Sequence, residues 1–115
     1  MYVFKFEETP AGDPDQSSGR AARGIERKVL AQGEGGFFVN SSRMPSGTRI
    51  EPHHHNHDEL IIVLEGGCTI DGGAEISPYD AVVIPAEETY GFTVGNEGMR
   101  FAVIRAGEAS VEFVS

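Results

Sequence analysis

All four histidines of the chain fall in one short stretch, His53-His54-His55-Asn56-His57-Asp58-Glu59. Two histidines one residue apart on a strand project their imidazoles to the same side, so His53 and His55 can share one ion. Glu59, at the start of the apolar run that follows, can close the set with an anionic oxygen. Two neutral nitrogens and one carboxylate suit a single divalent transition ion per chain, with Fe(II) the first expectation and Mn(II), Ni(II), Co(II) or Zn(II) open. Such a set leaves coordination positions for water, substrate or dioxygen, as catalysis at a metal requires. The plain alternative is a solvated histidine loop. His54 has the opposite parity and is expected to face outward. His57 is either a turn residue that orients a ligand or a substitute fourth ligand. Arg49 shares the parity of His53 and His55 and is the candidate for holding a substrate carboxylate or phosphate, against the plain alternatives of a surface position or a pairing with Glu51; Pro52 is where this alternation is open to disturbance.

These side chains must be positioned by short extended elements. Apolar blocks recur at Lys28 to Ala31, Phe37 to Asn40, Leu60 to Leu64, Thr69 to Asp71, Ala81 to Ile84, Tyr90 to Val94, Phe101 to Ile104 and Val111 to Val114, and Tyr2 to Phe6 reads as a first strand. Glycine, proline and serine separate the blocks, at Gly33 to Gly36, Pro45 to Gly47, Gly66-Gly67, Gly72-Gly73, Ser77-Pro78 and Gly95 to Gly98, and each such cluster is expected to be a turn. Only Gly19 to Ala31 could hold two helical turns, and Gly24 weakens that. Many short strands at this spacing indicate an all-β sandwich or barrel. Residues 7–24, rich in Pro, Gly, Asp and Ser, are expected to form a flexible loop or a lid. Along Glu59, Ile61 and Val63 one parity faces inward with the ligands; Ile62 and Leu64 then face outward although apolar, which points to cover by a second subunit.

With 115 residues the chain is expected to form one domain, residues 1–115, that contains any active site within a single core. Nine Lys and Arg against 18 Asp and Glu leave a net charge of −9, which repels nucleic acid and anionic membranes. No apolar run approaches the roughly 20 residues that a bilayer span needs. The N-terminal residues lack the basic start and apolar stretch of a secretory signal, and the single cysteine, Cys68, makes no internal disulfide. A soluble cytoplasmic protein with a small-molecule substrate is the expectation. Glu87 and Glu88 could transfer protons but read more simply as solvated turn carboxylates.

Gly47, His53, His55, Glu59 and Gly66 stand at every fixed position of the first cupin motif, and Glu59-Leu60-Ile61-Ile62-Val63-Leu64-Glu65-Gly66 is similar to its usual continuation. Over residues 37–105, the expected conserved barrel core, the chain resembles the small single-domain cupins. The resemblance implies an all-β, jelly-roll-like β-barrel of two antiparallel sheets with little or no helix, a metal near one mouth, and a homodimer. The second motif departs from the family pattern. Pro85 fits, but Tyr79 and Glu87 replace glycines, Val94 replaces an asparagine, and Tyr90 stands where a histidine usually completes the metal site. Three readings of Tyr90 stay open: a phenolate ligand, a hydroxyl that serves the substrate beside a three-ligand metal, or a packing residue. The implied activity is metal-dependent chemistry on a small organic molecule, with Glu59 and Tyr90 as catalytic candidates. It would be dioxygenase-like, the reading preferred on the sequence, or isomerase- or lyase-like; the alternative is a non-catalytic binding or sensing barrel.

Overall fold

In the computed structural model, which describes residues 1–12, 24–107 and 111–113, the chain is almost wholly extended. Eight strands follow in order: β1 (Glu26–Gln32), β2 (Phe38–Met44), β3 (Arg49–His55), β4 (Glu59–Ile70), β5 (Glu75–Ile76), β6 (Ala81–Ile84), β7 (Tyr90–Arg105) and β8 (Val111–Phe113). The described helical structure is two single turns of 3-10 type, Phe6–Glu8 and Glu34–Gly36. Every strand pair is antiparallel, in the order β1-β2-β7-β3-β8, with β4 pairing β5, β6 and β7.

Strands β4 and β7 are the spine. The first half of β4 pairs with the second half of β7 (Glu59↔Arg105, Ile61↔Val103), and its second half pairs with the first half of β7 (Cys68↔Val94, Ile70↔Phe92). The ladder shifts register twice in between, at Val63/Glu65 and Gly66/Cys68. Gly66-Gly67 and Gly95 to Gly98 are therefore bulged bends inside two long strands, not the turns their composition suggests. The reason is steric: a Cβ on Gly66 would stand 1.9 Å from the Gly98 carbonyl oxygen, on a backbone with φ +69°, and a close approach of this kind is where strands use glycine. The bends curl the network until the inward faces of both halves meet in one core of Ile61, Val63, Phe92, Val94, Phe101 and Val103 with their neighbours.

Two further expectations change. Met1 to Lys5 forms no strand. The Phe6 ring instead lies under the Lys28 ammonium, 3.9 Å from its centroid, and near the Arg100 guanidinium at 5.0 Å, while Lys28 Nζ donates to the Phe6 carbonyl at 3.0 Å. Cation–π contact and one charged hydrogen bond hold this segment where a ladder was expected. The stretch with helical potential becomes β1 from Glu26 onward. Of the expected loop 7–24, residues 13–23 lie outside the described residues. Tyr79 and Glu87 keep left-handed backbone, φ 71° and 70°, so the conformation that suits glycine persists at both positions without it.

Candidate metal and active site

The histidines enter the barrel because β3 slips. Arg49 and Ile50 pair with Thr93 and Phe92 of β7, but the ladder shifts before His53 meets Tyr90. Pro52, which lacks an N–H for the ladder, lies within the slip. The shift reverses parity, so Ile50 joins His53 and His55 in lining the cavity while Arg49 does not. Both imidazoles are buried. The bend at Asn56-His57 returns the chain into β4, which opens with Glu59, 2% exposed. Across the barrel mouth, the Asp58 carboxylate accepts from the Ala86 N–H at 2.8 Å and the Glu87 N–H donates to the His55 carbonyl at 2.8 Å. Those two bonds tie the turn that delivers Tyr90 to the turn that delivers Glu59.

The four side chains form one cluster. His53 Nδ1 lies 2.8 Å from the Glu51 carbonyl oxygen. A carbonyl can only accept, so Nδ1 carries a proton, and in the neutral ring Nε2 is then the lone-pair nitrogen. The His53 and His55 rings stand edge to face with centroids 5.0 Å apart, and the Tyr90 ring lies 4.4 Å from that of His53. Tyr90 Oη donates to Glu59 Oε1 at 2.7 Å and lies 3.4 Å from His55 Nε2. The second carboxylate oxygen, Oε2, accepts from Arg105 Nε at 2.6 Å and Nη2 at 2.5 Å, and lies 3.4 Å from His55 Nε2. A buried carboxylate requires such partners, because leaving it uncompensated costs several kcal/mol. The cluster borders a cavity of about 40 Å³ whose remaining wall includes Arg27, Ser42, Phe92, Phe101 and Val103. A second, wholly apolar cavity of about 20 Å³ adjoins it and shares Ile61, Tyr90, Phe92 and Phe101.

The structure thus brings His53, His55, Glu59 and Tyr90 together and leaves out the other candidates. His57 packs its ring on Gly107, so closely that a Cβ there would lie 2.4 Å from ring Cε1, and it is not in the cavity wall. His54 faces outward as expected, with Nε2 3.5 Å from a Glu87 carboxylate oxygen. Arg49 is on the outer surface, where Nη1 and Nη2 donate to the two Asp71 oxygens at 2.7 and 2.8 Å. The hydrogen-bonded pair raises the Arg49 pKa and lowers that of Asp71. Glu87 and Glu88 are exposed. Cys68 sits within β4 rather than in a turn, and burial pushes its thiol pKa up.

Two functional-type residues had not been singled out, Arg105 and Arg27. Arg105 was signalled by its place two residues after Val103 and four after Phe101: an arginine on a core-facing parity needs a buried acid opposite. Arg27 lies in the segment whose helix-or-strand character was open, so no face could be assigned to it.

Among the described residues, no three His, Cys, Asp or Glu side chains stand together at coordinating geometry. Both Glu59 oxygens are engaged by protein partners, Oε1 by Tyr90 and Oε2 by Arg105. In kind the donor set fits a divalent transition ion: two buried imidazoles, one of fixed tautomer, and a carboxylate whose oxygen is 3.4 Å from an imidazole nitrogen, a spacing close to that of two donors sharing one ion.

The family model described as "Cupin domain" matches residues 40–110, more than half of the chain. Over 70 residues the chain is 40% identical to a dimethylsulfoniopropionate lyase, DddW, of Ruegeria pomeroyi, a match that covers 58% of this chain and 44% of that protein. The chain therefore matches less than half the length of that relative. Among solved structures, the polyketide cyclase RemF from Streptomyces resistomycificus superposes with a TM-score of 0.75 at 23% identity, covering 100% of this chain and 86% of the other. KdgF from a Halomonas species gives 0.74 at 20% identity, covering 94% and 96%. At these identities the structural likenesses speak for the fold alone.

Proposed function

The chain belongs to the cupin domain family, and from that premise we propose that it is a metal-dependent enzyme that moves a proton on a small organic molecule held in the barrel, as a lyase or isomerase does. The observation that carries this reading is the Tyr90 hydroxyl. It borders the cavity, donates to Glu59 at 2.7 Å and lies 3.4 Å from His55, so an acid–base group sits beside the metal-type donors. His53, His55 and Glu59 would hold one divalent ion, iron first and Mn, Ni, Co or Zn also compatible, and a bound ion would supply Lewis-acid charge for an oxygen that turns anionic during reaction.

This chain's own residues do the rest. The bond from His53 Nδ1 to the Glu51 carbonyl fixes one imidazole. Arg105 holds Glu59, and Glu59 Oε1 fixes the hydroxyl proton of Tyr90. The apolar walls from Phe92, Phe101 and Val103 lower the local dielectric and so strengthen these interactions. The similarity to a lyase over 70 residues supports elimination chemistry over oxygen chemistry, which reverses the preference drawn from the sequence. The lone cysteine agrees with a reducing, cytoplasmic setting.

A second reading is a barrel that binds a small molecule without catalysis. It is favoured by one observation, the engagement of both Glu59 oxygens by protein partners. The two readings separate on Tyr90→Phe assayed against a panel of small carboxylates, enolisable ketones and sulfonium compounds. Turnover by the parent without oxygen uptake, lost in the variant at unchanged metal content, supports proton transfer. Turnover that consumes oxygen would move the assignment to a dioxygenase, and no turnover by the parent would leave a binding protein.

A further inference from the structure

Glu59, the first residue of β4, stands directly opposite Arg105, the last residue of β7. Opposed residues of an antiparallel pair project to the same face, so the register itself brings the guanidinium to the carboxylate. The contact is one-sided. Nε at 2.6 Å and Nη2 at 2.5 Å both reach the same oxygen, Oε2, instead of forming the parallel fork in which each oxygen takes one N–H. Oε2 is also the oxygen that lies 3.4 Å from His55 Nε2. The atom best placed to share an ion with that imidazole is therefore the atom that carries both guanidinium contacts. Oε1 is held separately, by the Tyr90 hydroxyl at 2.7 Å. The two side chains of the ion pair are 13% and 2% exposed, so solvent and salt screen their charges little.

We propose that Arg105 sets the metal affinity of this site and sets it low, acting through Glu59. The inference rests on the reading of His53, His55 and Glu59 as metal ligands. The two N–H groups of Arg105 take the two lone-pair sites of Oε2, and the guanidinium charge offsets the negative charge that this oxygen would offer an ion. Removing a partner that only orients a ligand weakens metal binding by about ten- to hundredfold. Two features give Arg105 the opposite sign. Glu59 does not depend on Arg105 alone for its orientation, since Tyr90 holds its other oxygen and its backbone sits in the ladder between Ile84 and Arg105. The charge effect is also strong in a buried pair, where a second cation brought to the same carboxylate is repelled by the first. A carboxylate shared with a guanidinium passes less negative charge to a bound ion, which suits the Lewis-acid role proposed above.

The test is the zinc affinity of the full chain at pH 8, where protons compete little with the ion, measured by competition with a chromophoric chelator. The parent, Arg105→Gln, Arg105→Lys, Glu59→Gln and the double variant Glu59→Gln with Arg105→Gln are compared, and circular dichroism of the same samples reports folding. The expected result is zinc bound about tenfold or more tightly by Arg105→Gln than by the parent. Arg105→Lys, which keeps the charge but not the planar pair of N–H groups, should fall between them at about threefold tighter. In the Glu59→Gln background the removal of Arg105 should gain less than about threefold, because the carboxylate through which it acts is gone. Binding by folded Arg105→Gln that is unchanged or weaker overturns the inference, as does a full gain in the Glu59→Gln background. Should Arg105→Gln not fold, Arg105→Lys decides, and an affinity at or below that of the parent overturns the inference. A parent that binds zinc no more weakly than its Arg105 variants keeps the metal reading and loses this inference, whereas a parent that binds no zinc loses both.

Discussion

Replacing Arg105 by glutamine removes the charge partner of a carboxylate that is 2% exposed, in a pair whose arginine is itself only 13% exposed. Glutamine retains the capacity for one neutral hydrogen bond, but the positive charge that Arg105 sets against Glu59 is gone. Breaking a buried pair from one side costs about 3–5 kcal/mol, against a total stability of roughly 6–17 kcal/mol for a chain of this length. With an unfolding entropy near 2 cal/mol/K per residue, that corresponds to a fall in Tm of about 12–20 °C. Thermal melts of metal-stripped protein at neutral pH, followed by circular dichroism, measure it. Removing both charges, as Glu59→Gln with Arg105→Met, should recover a large part of the loss, because no unpaired charge remains. Zinc should raise the Tm of Arg105→Gln more than that of the parent, since an ion on Glu59 supplies the missing positive charge. A fall of under about 3 °C for Arg105→Gln, within the range of ordinary surface substitutions, would refute the assignment of Glu59 and Arg105 as a buried pair.

Three other outcomes are expected. Tyr79 is exposed and holds a left-handed backbone at φ 71°, so Tyr79→Gly should raise stability by about 1 kcal/mol, read as a small rise in Tm; a loss would show that the side chain contributes more than its exposure suggests. The Asp71 pKa is lowered chiefly by the hydrogen bond from Arg49, so its contribution is present above the ordinary carboxylate value near 3.9 and is lost as pH falls through the lower folded value. Melts taken from pH 5 down to pH 2 should therefore show a steeper decline for the parent than for Asp71→Asn, by a modest amount because the pair is exposed; parallel curves would contradict this. On the outer face, Val83 and Phe37 are exposed beside Leu60 and Ile104, and we propose this patch as the contact between two copies. Light scattering should give a dimer for the parent and a monomer for Val83→Lys, whereas a monomeric parent excludes the dimer.

The part of the site legible in the sequence is the part encoded locally. His53, His55 and Glu59 lie within one strand and the turn after it, so alternation and spacing alone bring them together. Arg105 is 46 residues from Glu59 and reaches it only through the β4–β7 ladder, which composition does not announce. Arg49 was misplaced by the same alternation that placed the histidines, because the slip around Pro52 reverses parity between Ile50 and His53. The strand content was legible from the apolar blocks, but the lengths of β4 and β7 were not. Gly66-Gly67 and Gly95 to Gly98 carry the composition of turns, and only the contact of Gly66 with the Gly98 carbonyl shows that two strands cross closely there. The Tyr2 to Phe6 block has strand composition but forms no strand, and Phe6 docks through Lys28 and Arg100 instead.

The direct test of the metal centre is the metal content of protein purified without a histidine tag, before and after reconstitution with Fe(II) or Zn(II), in the parent and in His53→Ala, His55→Ala and Glu59→Gln. About one ion per chain in the parent, falling at least tenfold in affinity in each variant while His57→Ala keeps it, is the expected result. Less than about one ion per ten chains in the reconstituted parent, or variants that bind as the parent does, would contradict a metal site built from His53, His55 and Glu59.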